Sequence, residues 1–137
     1  MKKILGIVVL SLLLCGNAFA DTSARELFKK CKFAIKMLDE GNNNSLTMLE
    51  KVKGHNCMTI ISTMIETAAS QNVIDKALGK KVPTNLLNSC PPNEGEMAYG
   101  QYMRVFVKYL IDHPEDMHLD YTYVFGRSLH YHFPCKN

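Results

Sequence analysis

Apolar residues recur three and four positions apart along most of the chain. Leu27, Cys31, Ala34, Ile35 and Leu38 share one helical face. Ser23 followed by Glu26 forms a capping-box pattern ahead of them, and Gly41 with Asn42, Asn43 and Asn44 supplies a stop. The spacing therefore predicts a first helix over 23–40. Thr47 and Glu50 repeat the capping box, and Leu49 and Val52 follow before Gly54 interrupts the pattern. Cys57, Ile60, Ile61, Met64, Ile65 and Ala68 then carry the period strongly. One bent helix, or a short and a long one, is expected over about 45–70, with a weaker piece from Val73 to Leu78 that ends at Gly79.

Pro83, Pro91 and Pro92 forbid a continuous helix through the connector that follows. Asn93, with Glu96 three residues on, is expected to cap a third helix lined by Tyr99, Met103, Phe106, Val107 and Leu110. That helix ends at His113-Pro114, because the residue before proline avoids the helical region. Asp120 is placed to cap a last helix carrying Tyr121, Val124, Phe125, Ser128 and Leu129, which Pro134 terminates. Strand-like alternation is missing from the whole pattern after residue 20. The fold class expected is all-α: a single small bundle of four to five helices.

The first residues do not belong to that bundle. Lys2 and Lys3 precede a short apolar run, and Ala18-Phe19-Ala20 fits a small-x-small cleavage site. The run from Ile4 to Cys15 is too short to span a bilayer comfortably. We therefore expect a bacterial-type signal peptide over 1–20, cleavage after Ala20, a helical domain over 21–137 and a periplasmic location. The formal charge of +3 falls to about +1 once Lys2 and Lys3 are gone. That near-neutral balance gives no argument for nucleic acid or for an anionic membrane as partner.

Export changes how the cysteines are read. Cys15 leaves with the leader, and Cys31, Cys57, Cys90 and Cys135 remain. Four cysteines in an oxidising compartment imply two disulfides. A zinc site would want ligands clustered in sequence, and no C-x-x-C or H-x-x-x-H group is present. Three pairings are open in principle. Cys31 and Cys57 lie on the apolar faces of antiparallel neighbours, whereas Cys90 precedes the third helix and Cys135 follows the fourth. The expected bridges are Cys31–Cys57 and Cys90–Cys135.

Little in the residues suggests catalysis. With the thiols paired, no nucleophilic cysteine is left, and no G-x-S-x-G is present. The carboxylate pairs Asp39/Glu40 and Glu115/Asp116 sit at helix ends, where solvation is the ordinary state. His130 and His132 are two apart, so a helix points them to different faces. The methionines lack a Met-x-Met or Met-x-x-Met box and read as adaptable filler. The expectation is a binding protein, not an enzyme, with no metal and no cofactor.

The C-terminal half reads "SCPPNEGEMAYGQYMRVFVKYLIDHPEDMHLDYTYVFGRSLHYHFPC". Cys90 and Pro92 open it, and Tyr109-Leu110 leads into His113-Pro114-Glu115. His118 follows, and Phe133-Pro134-Cys135 closes it. In these residues and their spacing the chain resembles the Rap/Tai family of type VI secretion immunity proteins. Gly54 and Cys57 resemble that family's entry to its second long helix. Where the family often carries a tyrosine and a glycine soon after the second cysteine, this chain has Ile60, Ile61, Ser62 and Thr63.

The resemblance implies a small, helical, disulfide-bonded periplasmic protein, often a homodimer. Its partner would be a secreted peptidoglycan amidase effector, whose active-site cleft it blocks. The candidate plug is the loop "DHPEDMHLD", and the residues singled out for partner binding are Asp112, His113, Glu115, Asp116, Met117 and His118. An acidic loop with an apolar methionine suits a cleft that holds a catalytic histidine. The same motif also reads as a helix stop that shapes its own turn. Other classes compatible with an exported helical domain are an acid-stress chaperone and an envelope or host-interaction protein.

Overall fold

The computed structural model describes residues 22–41, 45–79, 87, 89–91 and 97–135. The leader, the asparagine run 42–44, Pro83, Pro92 and the expected cap at Asn93 with Glu96 lie outside the described residues. The described residues are all-α: α1 (Ala24–Glu40), α2 (Met48–Ala77), α3 (Tyr99–Asp112), a 3₁₀ turn (Pro114–His118) and α4 (Tyr121–His132).

Helix α1 begins one residue after Ser23, as the period predicts, but not by the predicted device. The Ser23 side chain makes no capping hydrogen bond. Its backbone is extended and forms a single antiparallel bridge with Asp120. Around that bridge Ala24 N–H donates to the Leu119 carbonyl at 2.8 Å, and Tyr121 N–H donates to the Thr22 carbonyl at 2.9 Å. Glu26 instead takes the Lys29 ammonium at 2.5 Å, one turn along α1. Gly41 ends the helix with φ +56°, a conformation that a Cβ would disfavour.

The second capping box forms as written in the sequence. Glu50 Oε2 accepts from Thr47 N–H at 2.8 Å, and Thr47 Oγ1 accepts from Glu50 N–H at 3.3 Å. The helix it starts runs unbroken for 30 residues. Gly54 does not interrupt it, and Val73 to Ala77 is its last part, not a separate piece. Gly54 is a contact point instead. A Cβ there would lie 2.6 Å from Met37 Sδ and 3.1 Å from the Ala34 backbone nitrogen. The missing side chain lets α1 and α2 approach closely.

That approach is fixed by the first disulfide. Cys31 on α1 and Cys57 on α2 are bonded, with Cα atoms 5.1 Å apart and both residues fully buried. The second bridge, Cys90–Cys135, closes the base of the α3–α4 hairpin, where Cys90 N–H also donates to the Phe133 carbonyl at 2.8 Å. Both pairings follow the sequence expectation, and two bridges accord with an oxidising, exported compartment. No described helix is long and apolar enough to cross a membrane.

The core sits where α1, α2, α3 and α4 converge. Leu27, Ala34, Ile61, Met103, Phe106, Leu110, Val124, Phe125 and Leu129 are buried together. Phe125 lies 6.2 Å from Phe106 and 6.5 Å from Tyr102 between ring centroids, both tilted, as aromatic quadrupoles prefer.

Candidate functional site

The bend between α3 and α4 carries the residues singled out by sequence, and its shape follows from local chemistry. His113 leaves the helical region ahead of Pro114, and its N–H donates to the Tyr109 carbonyl at 2.8 Å. Pro114 then opens a tight turn in which Asp116 N–H donates to the His113 carbonyl and Leu119 N–H to the Asp116 carbonyl. Asp120 caps α4 as expected: its Oδ1 accepts from Thr122 N–H at 2.8 Å and from the Thr122 hydroxyl. These bonds hold the Asp120 carboxyl below its usual range, with the Thr122 hydroxyl as the largest cause.

The six candidate residues divide into an inner and an outer set. Asp116 is buried and turns back against α3, where it accepts the Tyr109 hydroxyl at 2.5 Å. Arg127 on α4 reaches the same carboxylate, with Nη1 3.3 Å from Oδ2. Met117 is half-buried and packs on the core. His113 is half-buried too. Its ring stacks on Tyr109 at 4.6 Å and meets Tyr131 edge-on at 5.1 Å. Its Nδ1 lies 3.1 Å from Glu115 Oε1, while Nε2 is buried without a hydrogen-bond partner among the described residues.

Asp112, Glu115 and His118 make up the outer set and are exposed. Asp112 accepts from Lys108 one turn earlier at 2.9 Å. The Glu115 carboxyl is held below its usual range, first by a backbone N–H and then by His113. The outer trio of Asp112, Glu115 and His118 is thus carried on a turn anchored by Asp116, His113 and Met117. Three elements hold that turn: α3 through Tyr109, α4 through Arg127 and Tyr131, and the segment before α1, which pairs with Leu119, Asp120 and Tyr121 at the turn's exit; Met117 seats it on the core.

Sequence reasoning did not find Tyr109, Arg127 and Tyr131 as partners of this turn. Their side chains meet it only after α3 and α4 fold back on each other. The one available signal was the reach from Tyr109 to Asp116, seven residues or two helical turns. Among the described residues no three of His, Cys, Asp or Glu stand close enough together to hold a metal ion. His132 Nδ1 is engaged by the Ser128 carbonyl at 2.9 Å within its own helix.

No family model, no curated protein and no solved structure matches this chain.

Proposed function

We propose that this protein is a periplasmic immunity protein that binds a secreted peptidoglycan amidase and occludes its active site. The observation that carries the reading is the clamped α3–α4 turn. Asp116 and His113 are engaged from within, and Asp112, Glu115 and His118 are left facing outward on the same short segment. A plug for an enzyme cleft needs this division. Ordering the loop before binding removes an entropy cost that a free loop would meet on association. Exposed carboxylates beside an exposed imidazole offer charge-assisted hydrogen bonds to a cleft lined by basic or donor groups. The resemblance of the Cys90–Cys135 stretch to the immunity family supplies the identity of the enzyme class. The two disulfides supply a scaffold that persists in an oxidising space.

The test is inhibition. The purified oxidised protein is titrated against candidate peptidoglycan amidases, and release of cell-wall peptides is followed. Inhibition by one enzyme at stoichiometric protein, weakened about tenfold or more by Glu115→Lys with helicity unchanged, is the expected result. Every candidate amidase remaining fully active, together with survival of a deletion strain exposed to each of them, overturns the reading. Suppressed aggregation of unrelated proteins at low pH in that same preparation would instead identify a chaperone.

A further inference from the structure

Charge is unevenly distributed along this chain. Helix α1 carries Arg25, Lys29, Lys30, Lys32 and Lys36 against Glu26, a net of +4 within the twelve residues 25–36. The chain after residue 20 totals only about +1, so its other residues together sum to about −3. The near-neutral total conceals this segregation. Four of the five bases form a row. Arg25, Lys29, Lys32 and Lys36 are spaced four, three and four apart, which places them on one face of the helix, opposite the buried Leu27, Cys31 and Ala34. Arg25, Lys29 and Lys32 are exposed, and Lys36 is partly so. The row is about 16 Å long at 1.5 Å per residue.

The row keeps its charge and is held in place. Glu26 lies 2.5 Å from Lys29 and Glu40 lies 4.0 Å from Lys36, and both pairs are open to water, which screens them. Asp39 turns aside to Arg104 of α3 at 2.5 Å. The helix beneath is fastened by the Cys31–Cys57 bond and by the Ser23–Asp120 bridge, so the cations are presented on a rigid surface. Leu38, the large apolar residue of α1 that is exposed, lies on the other side of the helix from the row.

We propose that the outer face of α1 docks this protein on the surface of a phospholipid bilayer that carries anionic headgroups. Charge complementarity gives the sign of the partner, and the residue types give its kind. A protein interface is built round an apolar centre and is poor in lysine, whereas this row is three lysines and an arginine with no apolar centre. Fixed anions on a folded partner favour the planar fork of arginine; lysine is a hydrated point charge, which suits headgroups that move. Nucleic-acid sites interleave cations with open aromatic faces, and the Phe28 ring beside Lys32 is already covered by the Lys32 ammonium at 5.6 Å. A helix face turned away from the core is convex, and a bilayer is a flat, fluid surface whose anionic lipids can gather beneath each cation. The contact is superficial. The apolar face of α1 is buried in the core, and no described helix is long and apolar enough to cross a membrane. Each Lys or Arg held near such a surface strengthens binding about fivefold, so the docking is reversible and weakens with salt. The inference is independent of the proposed inhibition, because Lys29 and Lys32 lie outside the α3–α4 turn.

Vesicle flotation with the purified, oxidised protein tests it. Vesicles of equal parts phosphatidylglycerol and phosphatidylcholine should carry the protein at about 0.01 M salt and carry less of it at about 0.15 M, while phosphatidylcholine alone should carry none. Lys29→Glu and Lys32→Glu each exchange a positive charge for a negative one, and each should weaken binding about tenfold or more. The double variant Thr63→Glu/Ser70→Glu changes the net charge by the same amount at exposed positions on the face of α2 turned away from α1, and should weaken binding far less. Circular dichroism confirms that each variant is folded. No binding to the anionic vesicles at low salt overturns the proposal, as does equal binding to phosphatidylcholine vesicles. So does a loss in Lys29→Glu and Lys32→Glu no greater than in the α2 control. Soluble polyphosphate or single-stranded DNA bound in preference to the vesicles, at matched concentration of anionic groups, would assign the row to a soluble polyanion and overturn the membrane assignment.

Discussion

Tyr109 and Asp116 face each other across the bend between α3 and α4, with the phenol donating to the carboxylate at 2.5 Å and both side chains out of solvent. The contact fastens the 3₁₀ turn to the helix that precedes it, and Arg127 supplies the balancing charge at 3.3 Å. Asp116→Ala strands the buried phenol hydroxyl and leaves the turn without its anchor. The expected loss is about 2 to 3 kcal/mol in urea unfolding, the cost of an unsatisfied buried polar group together with the lost charged hydrogen bond. Asp116→Asn keeps an acceptor for Tyr109 and should cost less. Equal losses for the two variants would show that the hydrogen bond is not what holds the turn.

The same pair makes a prediction at alkaline pH. Burial first, then the hydrogen bond to Asp116 and its negative charge, push the Tyr109 hydroxyl up to about 12. The unfolded chain ionises tyrosine near 10. The native state therefore binds more protons than the unfolded state between the two values. The associated stability is fully present below pH 10 and is lost as pH rises to about 12, up to roughly 2 to 3 kcal/mol. Denaturation midpoints measured from pH 9 to 12 should fall across that window in the native chain, and less in Tyr109→Phe.

Gly54 is a point of close approach between α1 and α2. Helix propensity alone would make Gly54→Ala stabilising by about 1 kcal/mol. The new methyl would meet Met37 Sδ at 2.6 Å and the Ala34 backbone nitrogen at 3.1 Å, and the backbone neighbour cannot swing away. We expect a net destabilisation of about 1 to 3 kcal/mol, in the range of other overpacked cores. Gly54→Ala combined with Met37→Ala should recover only the part due to the methionine. A stabilised single variant would mean that the two helices are free to separate.

Gly54 also marks how far the sequence could be read. Spacing of apolar residues located the four α-helices of the described residues, and the local signals at Thr47/Glu50 and Asp120 were realised as hydrogen bonds. Those signals act within three or four residues, so the sequence contains them whole. A glycine inside a helix is ambiguous on the same evidence. It is a break if nothing packs there, and a contact point if a neighbouring backbone does. Only the position of Ala34 decides it. Ser23 was misread for the same reason, because its extended backbone is used by Asp120, almost a hundred residues away in sequence. At the candidate site the turn itself was legible from His113-Pro114. The separation of Asp116 from Glu115, one buried and one exposed, was not: it depends on Tyr109 and Arg127 arriving from two helices.

Acid should act on a different set of groups. Arg104 holds the Asp39 carboxyl below its usual range, chiefly through a hydrogen bond. Thr47 does the same for Glu50, His113 helps lower Glu115 after a backbone N–H, and Thr122 lowers Asp120. Carboxyls depressed in the native state bind fewer protons than in the unfolded chain. Their contribution is present above the ordinary carboxylate range and is lost as pH falls through it toward the depressed native values. Thermal midpoints should be level near neutrality and decline below about pH 4 to 5. Asp120→Asn, which gives up the ionised cap of α4, should flatten part of that decline. A profile already falling between pH 7 and 6 would point to histidines instead.

The two disulfides should separate under reductant. Cys31 and Cys57 are fully buried between α1 and α2, whereas Cys90 is exposed at the base of the α3–α4 hairpin. Thiol exchange requires the attacking thiolate to reach a sulfur, so access sets the order when the bonds are otherwise alike. Mild reductant followed by alkylation and peptide mapping should label Cys90 and Cys135 first, with Cys31 and Cys57 protected until the chain unfolds. The loops closed are 26 and 45 residues, worth about 3.5 and about 4 kcal/mol in the chain-entropy model. Loss of the Cys90–Cys135 bridge should therefore lower stability substantially while α1 and α2 stay cross-linked through their buried pair. Because that bridge closes the hairpin whose far end is the clamped turn, hydrogen exchange at residues 113–120 should also quicken in the half-reduced protein. Unchanged exchange there would show that Tyr109, Arg127 and the Ser23–Asp120 bridge hold the turn without help from the hairpin's base.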